Sequence, residues 1–461
     1  MTPIEKYLLP REGFFEHRLV PVVIKDIICY YFLMQKKYIL KTLLKDFHRS
    51  KWPTVVTRDY QIPMSSGKII TLIGARRSGK TFLLYQLIKQ IAAKISKQHI
   101  LFINFEDERL ELQSHELDLM IQAYLELYPL QDLSHCYFFF DEIQNVSGWE
   151  KFIRRLYDTI SKNIFLTGSN AKMLSSEIAT ALRGRSLTYT VYPLSFKEIL
   201  RFWKITPDLE STQGRATLYH ALENYLHDGG FPELPLLSHQ DLKRKTLQEY
   251  YQVMLFRDLV ERYQIANTTA LKFFLKRLYA SATKQVSINR IYNDLKSAGF
   301  RIGKNSLYDF LEHAEAVFMI GTLKKYAYKI STQELSEKKV YAIDNGLTNA
   351  VHFRFSADLG KALEQIVFWE LKRRLSDQET LFYYKNQFEC DFVIQREDEI
   401  ITAIQVCYQL DDPETKKREI NGLQNTSQIL GLKQGTLITY ENEEPIAGIQ
   451  IVPILEFLLR N

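Results

Sequence analysis

The eight residues GARRSGKT, 74–81, stand between the apolar run KIITLI (68–73) and the segment FLLYQLIKQIAAKI (82–95), and their reading decides the fold. KIITLI is short, rich in β-branched residues and bounded by Gly67 and Gly74, which predicts a buried parallel strand. Apolar residues at 83, 84, 87, 88, 91 and 95 predict a helix behind it. Strand, glycine-rich loop and helix are the setting in which G-x4-G-K-[ST] cradles phosphates. Gly74 and Gly79 let backbone N–H groups converge, with Ala75, Arg76, Arg77 and Ser78 completing the loop. Lys80 brings a point charge to the terminal phosphates and Thr81 a hydroxyl to Mg²⁺. ATP and Mg²⁺ are the expected cofactors.

Composition sets the frame around this loop. The 461 residues suggest two to four domains, each with a sizeable core. With 46% hydrophobic and 25% charged residues, the chain falls outside the collagenous, disordered and mucin-like classes, and it carries no internal repeat. A net charge of +6 permits an anionic partner without requiring one. Cys29, Cys136, Cys390 and Cys407 have no C-x-x-C spacing, which points to neither zinc nor a disulfide framework and fits a reducing cytosol. The most apolar early stretch, IICYYFLM (27–34), is far short of the roughly 20 residues that span a bilayer. A cytoplasmic protein with no membrane partner and no signal peptide is expected.

A phosphate-binding loop calls for acids at the end of a later strand. CYFFFDEIQ (136–144) places Asp141 and Glu142 there, Asp141 to hold Mg²⁺ and Glu142 to polarise the attacking water. ILFINFED (100–107) and NIFLTGSNA (163–171) are further strands, giving a parallel sheet with its ligand at the carboxyl ends. Thr167, Ser169 and Asn170 are candidates to sense the terminal phosphate, and Asn170 is the choice. Arg183 and Arg185 flank Gly184 in a short turn, from which an arginine could stabilise the transferring phosphoryl group in cis or from a neighbouring subunit.

GARRSGKT, FFFDEIQNVSGWE, LTGSNA, the LRGR turn, YPLSFKEIL (192–200) and GGFPE (229–233) occur in that order, followed by YYQVMLFRDLVERY (250–263) and AIDNGL (342–347). From residue 50 to about 410 the chain thus resembles the prokaryotic AAA+ ATPases that carry a C-terminal DUF4143 domain. The resemblance implies an ATP site comprising Gly74, Gly79, Lys80, Thr81, Asp141, Glu142, Arg183 and Arg185.

Further on, LKFFLKRLYASATKQ, SINRIYNDLKSAG and GKNSLYDFLEHAEAVFMI read as three helices, and GTLKKYAYKI and KKVYAID as two strands, a winged-helix arrangement. Lys296, Arg301, Lys304, Lys324 and Lys325 could meet DNA phosphates, or the module could bind protein instead. GKALEQIVFWELKRR with Glu364, FECDFVI with Glu389 and Asp391, and ITAIQVCYQL with Gln405 and Cys407 resemble a PD-(D/E)xK nuclease core. In that core the acids hold Mg²⁺ and a lysine assists the chemistry; here glutamine and cysteine stand where the last acid and the lysine belong. Glu364 and Asp391 are the remaining metal candidates, and cleavage is not expected.

The expected fold class is α/β. A helical segment (1–50) precedes a P-loop ATPase core with a parallel sheet (51–200), a helical lid (201–267), a winged-helix-like domain (268–347) and a restriction-endonuclease-like α/β domain (348–461). The function read from these parts is an ATPase whose nucleotide state controls the C-terminal modules, on DNA or with a protein partner, with a homo-oligomer among the expectations. The alternatives are an ATP-dependent endonuclease and a non-catalytic ATP-dependent scaffold or switch.

Overall fold

Strands and helices alternate through the first part of the chain: α1 (Val20–Arg49), β1 (Ile69–Ile73), α2 (Lys80–Ala92), β2 (Ile100–Asn104), α3 (Asp118–Leu127), β3 (Tyr137–Asp141), α4 (Trp149–Thr159), β4 (Ile164–Gly168) and β5 (Ser186–Thr190). The computed structural model describes residues 20–169, 182–351 and 358–460. It forms two compact units, Met1–Trp52 with Lys94–Ile164, and Pro53–Ala93 with Phe165–Asn461. The paired strands among β1–β5 run parallel, the α/β class expected of a P-loop ATPase.

In the first unit β2 lies beside β3, and Phe138, Phe139 and Phe140 are all fully buried, as an apolar run covered on both faces requires. The C-terminal half of α1 packs on this layer. Phe47 stacks on Phe102 and Trp52, each at 5.2 Å between ring centroids, while His48 meets the Tyr128 hydroxyl at 2.7 Å and the Ile100 carbonyl at 2.8 Å. Lys36 pairs with Glu116 at 2.6 Å.

In the second unit β1 lies between β4 and β5, with Ile73 opposite Gly168 and Thr190. All five residues of β1 are buried. Helix α5 (Phe196–Phe202) opens on a capping box in which Ser195 and Glu198 bond each other's backbone N–H, so YPLSFKEIL encodes a helix start. Helices α6 (Thr212–Asp228) and α7 (Gln240–Val253) follow, and α7 runs into a π-helical segment, Met254–Glu261.

Next come α8 (Thr268–Ala280), β6 (Gln285–Val286), α9 (Ile288–Ser297), α10 (Lys304–Ala316), β7 (Ile320–Leu323), α11 (Ile330–Leu335) and β8 (Lys338–Ala342), with an antiparallel sheet of order β6-β8-β7. The remainder is α12 (Asn345–Val351), α13 (Leu359–Arg374), β9 (Glu379–Lys385), β10 (Glu389–Arg396), β11 (Glu399–Cys407), α14 (Pro413–Ile429), β12 (Gly435–Thr439), β13 (Ile449–Pro453) and α15 (Ile454–Leu459). Its sheet has the order β13-β12-β11-β10-β9, antiparallel from β9 to β11 and parallel from β11 to β13. Helix α13 ties the two sheets together. Phe368 stacks on Tyr341 of β8 at 3.9 Å, and Trp369 donates its indole N–H to Ala342 O at 2.6 Å. No helix among the described residues is long and apolar enough to cross a membrane.

Candidate nucleotide-binding site

The loop 74–81 leaves the carboxyl end of β1 and enters α2 directly. A Cβ on Gly74 would lie 2.2 Å from the Val191 carbonyl oxygen, so the loop can pass the end of β5 only without a side chain there. Gly79 sits at φ +96° as the residue before α2, a left-handed conformation natural to glycine. No side chain caps α2, which leaves its first-turn N–H groups facing the loop for an anion. Lys80 is buried and donates to the loop's own carbonyls, Gly74 O at 3.3 Å and Ala75 O at 3.1 Å. The Ser78 hydroxyl is buried with no hydrogen-bond partner. A cradle with an uncapped helix end, an inward ammonium and an orphaned hydroxyl fits a polyphosphate.

The arginines of the loop use their side chains elsewhere. Arg76 forms an ion pair with the buried Asp258 of the π-helical segment, at 3.1 Å, and Arg77, at φ +66°, lies over the Tyr250 ring at 5.8 Å. These contacts tie the loop to residues 250–258.

Asp141, at the end of β3, and Glu142, just after it, are both buried. Glu142 has φ +52°, a strained conformation of the kind that collects at functional sites, and its carboxylate accepts from Gln144. Thr167 and Ser169 sit at the carboxyl end of β4, next to the strand that feeds the loop, and the buried Ser169 hydroxyl has no partner. Asn170, the chosen sensor, lies outside the described residues.

Arg183 and Arg185 are not brought to the loop of their own chain. Arg185 O accepts from Ile69 N at 2.9 Å, and Lys68 donates to Gly184 O, which puts the LRGR turn at the start of β1 while the loop leaves its end. At about 3.3 Å per residue, the five-residue strand separates them by roughly 16 Å. The turn and the loop thus lie at opposite ends of β1.

Residues that the spacing did not reveal buttress the loop. Arg58, buried, donates to Ser78 O at 3.0 Å and to Tyr192 O at 2.8 Å, and pairs with Glu198 at 2.9 Å. Burial alone would push Glu198 up, but the Arg58 guanidinium and the Asp59 and Ser195 N–H groups outweigh it and hold the carboxyl below its ordinary range. GGFPE closes the other side. A Cβ on Gly79 would come within 3.3 Å of Pro232, and Glu233 accepts from the Tyr250 hydroxyl. Gly230 N donates to the buried Asp344 of AIDNGL at 2.6 Å, so these two distant motifs form one joint. Arg58 does not stand out by local pattern, whereas Glu198 belongs to the S-x-x-E capping box of YPLSFKEIL.

Glu364 and Asp391 do converge in the C-terminal part, but on Lys339 rather than on an open position. No group of three or more His, Cys, Asp or Glu side chains suited to a metal occurs among the described residues.

The family model for an AAA domain matches residues 66–200. The uncharacterized protein MJ1544 of Methanocaldococcus jannaschii is 37% identical over 418 residues, covering 89% of this chain and 91% of the relative. The chain belongs to the MJ1544 family. A second member, an uncharacterized protein of Haemophilus influenzae, is 30% identical over 85% of this chain and 94% of its own length. In this family's present member, residues 219–359 match the domain of unknown function DUF8612, where the motifs had pointed to DUF4143. Among solved structures, the Aeropyrum pernix Orc1 protein in complex with DNA aligns with a TM-score of 0.29 and 10% identity, covering 68% of this chain and 91% of that one. That likeness is too distant to carry a functional conclusion.

Proposed function

We propose that the protein binds ATP with Mg²⁺ at residues 74–81, hydrolyses it, and passes the nucleotide state to the 219–359 domain and the C-terminal sheet beyond it. The observation that carries this reading is the uncapped start of α2 behind a loop holding an inward lysine and an orphaned serine. On phosphate binding Lys80 exchanges the loop carbonyls for the terminal phosphates, and the N–H groups of α2 hold the charge in place. Thr81 and Asp141 are the residues that would hold Mg²⁺, which supplies neutralisation of the phosphate charge. Glu142 orients and polarises water, and Ser169 joins Asn170 as a candidate for the sensing contact. Arg183 and Arg185 then act in a homo-oligomer or not at all. Lys80 and Glu142 together favour hydrolysis over a non-catalytic scaffold.

Control of the C-terminal modules is supported by the Arg76–Asp258 pair and by Arg77 over Tyr250, which connect the loop to a segment inside the DUF8612 region. The order α8-β6-α9-α10-β7-α11-β8 supports a winged-helix-like domain with a helix inserted in the wing, and the order α13-β9-β10-β11-α14-β12 a nuclease-like one. A protein partner is favoured over DNA for the winged module by one observation. Lys324, expected to meet phosphate, pairs with Glu334 at 2.5 Å, and the same connection exposes Tyr328, Ile330 and Leu335.

Turnover of Glu142→Gln tests the catalytic part. ATP should still bind, while hydrolysis falls at least 100-fold, the lower range for loss of a general base. Hydrolysis at the wild-type rate would remove Glu142 from the mechanism, and stimulation of wild-type turnover by duplex DNA at low salt would restore DNA as the partner.

A further inference from the structure

The C-terminal sheet brings together the two acids that its nuclease-like reading assigns to a metal. Asp391 comes from β10 and Glu364 from α13. Lys339, on the middle strand β8 of the neighbouring three-stranded sheet, reaches both. Its Nζ lies 2.8 Å from Asp391 Oδ1 and 3.2 Å from Glu364 Oε1, with Glu389 Oε1 at 3.6 Å. The lysine is only 2% exposed. A point within bonding reach of the helix acid and the strand acid together is the point a divalent ion would have to take.

The other groups around that point are also engaged. Asp391 Oδ2 accepts from Val406 N at 3.1 Å, and Glu364 Oε1 accepts from the Tyr341 hydroxyl at 2.8 Å. Gln405, in place of the usual last acid, spends both ends of its amide: Oε1 accepts from Asp391 N at 3.0 Å and Nε2 donates to Glu419 at 2.5 Å. Cys407 donates its thiol to Gln409 O at 3.1 Å, and burial pushes it up to about 11, so it remains a neutral thiol. Burial would lower the Lys339 ammonium, but the Asp391 and Glu364 carboxylates outweigh it and hold the proton firmly. These residues do not fit a divalent metal.

We infer that Lys339 is the resident cation of the degenerate nuclease-like site, filling the metal position from another sheet and fastening β8 to the C-terminal core. The lysine lost from position 407 and the lost metal are replaced by one internal charge. Two carboxyl groups this close together and desolvated are stabilised by a cation between them, and a covalently tethered one cannot dissociate. The site is a fixed clamp, and phosphodiester cleavage has no metal to run on. This inference rests on the nuclease-like reading of the C-terminal sheet and is independent of the ATPase reading.

Mn²⁺ binding to nucleotide-free protein, followed by the loss of the free-ion paramagnetic signal, tests it. Lys339→Met should gain one Mn²⁺ site at least tenfold tighter than any the wild type shows, and adding Asp391→Asn should abolish the gain. Mn²⁺ should raise the melting temperature of Lys339→Met and leave that of the wild type unmoved. A folded Lys339→Met chain that gains no site would overturn the nuclease-like reading itself. Should that variant fail to fold, the wild type still decides: a Mn²⁺ site lost in Asp391→Asn, or metal-dependent DNA cleavage, would overturn the clamp while leaving the nuclease-like reading in place, whereas neither seen upholds it.

Discussion

Asp344 shows how much a single residue can hold. It is buried where GGFPE and AIDNGL meet, accepts from Gly230 N at 2.6 Å and Leu347 N at 3.1 Å, and has Arg373 nearby. Burial pushes its carboxyl up to about 6, against these N–H bonds and the guanidinium. The folded chain therefore keeps a proton that the unfolded chain gives up near pH 4, and stability falls as pH rises from about 4 to about 6, then levels. Asp344→Asn carries no such proton. Denaturant unfolding of the two chains across that window should diverge by up to about 3 kcal/mol, with the wild type showing the steeper fall. Parallel profiles would place the titration elsewhere. At this scale the sequence disclosed what local spacing encodes: Gly74, Gly79, Lys80, Asp141 and Glu142 each sit in a short pattern with one chemical purpose. Arg58, Asp258 and Lys339 were not legible, because their partners Glu198, Arg76 and Asp391 lie far along the chain and the pairing arises only on folding. Cys407 in the place of a lysine signalled a lost activity and did not disclose Lys339.

Among the elements, the π-helical segment Met254–Glu261 is the one through which the loop can be felt. Helices of this kind recur at functional sites because the extra residue per turn redirects side chains, and here Asp258 is the side chain turned to Arg76. ATP should alter amide hydrogen exchange in 250–263 of the wild type, and Asp258→Asn should abolish that response while costing about 2 kcal/mol of stability, the scale of a charged hydrogen bond. An exchange pattern in the wild type indifferent to ATP would show that the pair is an anchor and not a relay. The LRGR turn teaches a different lesson. In a parallel sheet every segment that precedes a strand lies at the opposite edge from the loop that follows one. Because Ser186–Thr190 is a strand parallel to β1, Arg183 and Arg185 just before it lie at the edge opposite their own phosphate loop, which the turn around Gly184 did not disclose.

Over the whole molecule, the chain combines an AAA domain, a DUF8612 region and a mixed C-terminal sheet. Strand–loop–helix patterning made the first legible, since parallel strands buried on both faces leave long apolar runs. The later parts were harder to read because their character depends on cross-sheet pairs such as Lys339 with Asp391, whose partners lie far apart in the chain. One claim supports the functional account from end to end, that the 74–81 loop holds ATP. Equilibrium binding of a fluorescent ATP analogue with Mg²⁺ to the wild type and to Lys80→Ala tests it most directly. Saturable binding by the wild type, weakened at least 100-fold in Lys80→Ala while the melting profile without nucleotide stays unchanged, is the result expected. Equal affinity in the two chains would contradict the account.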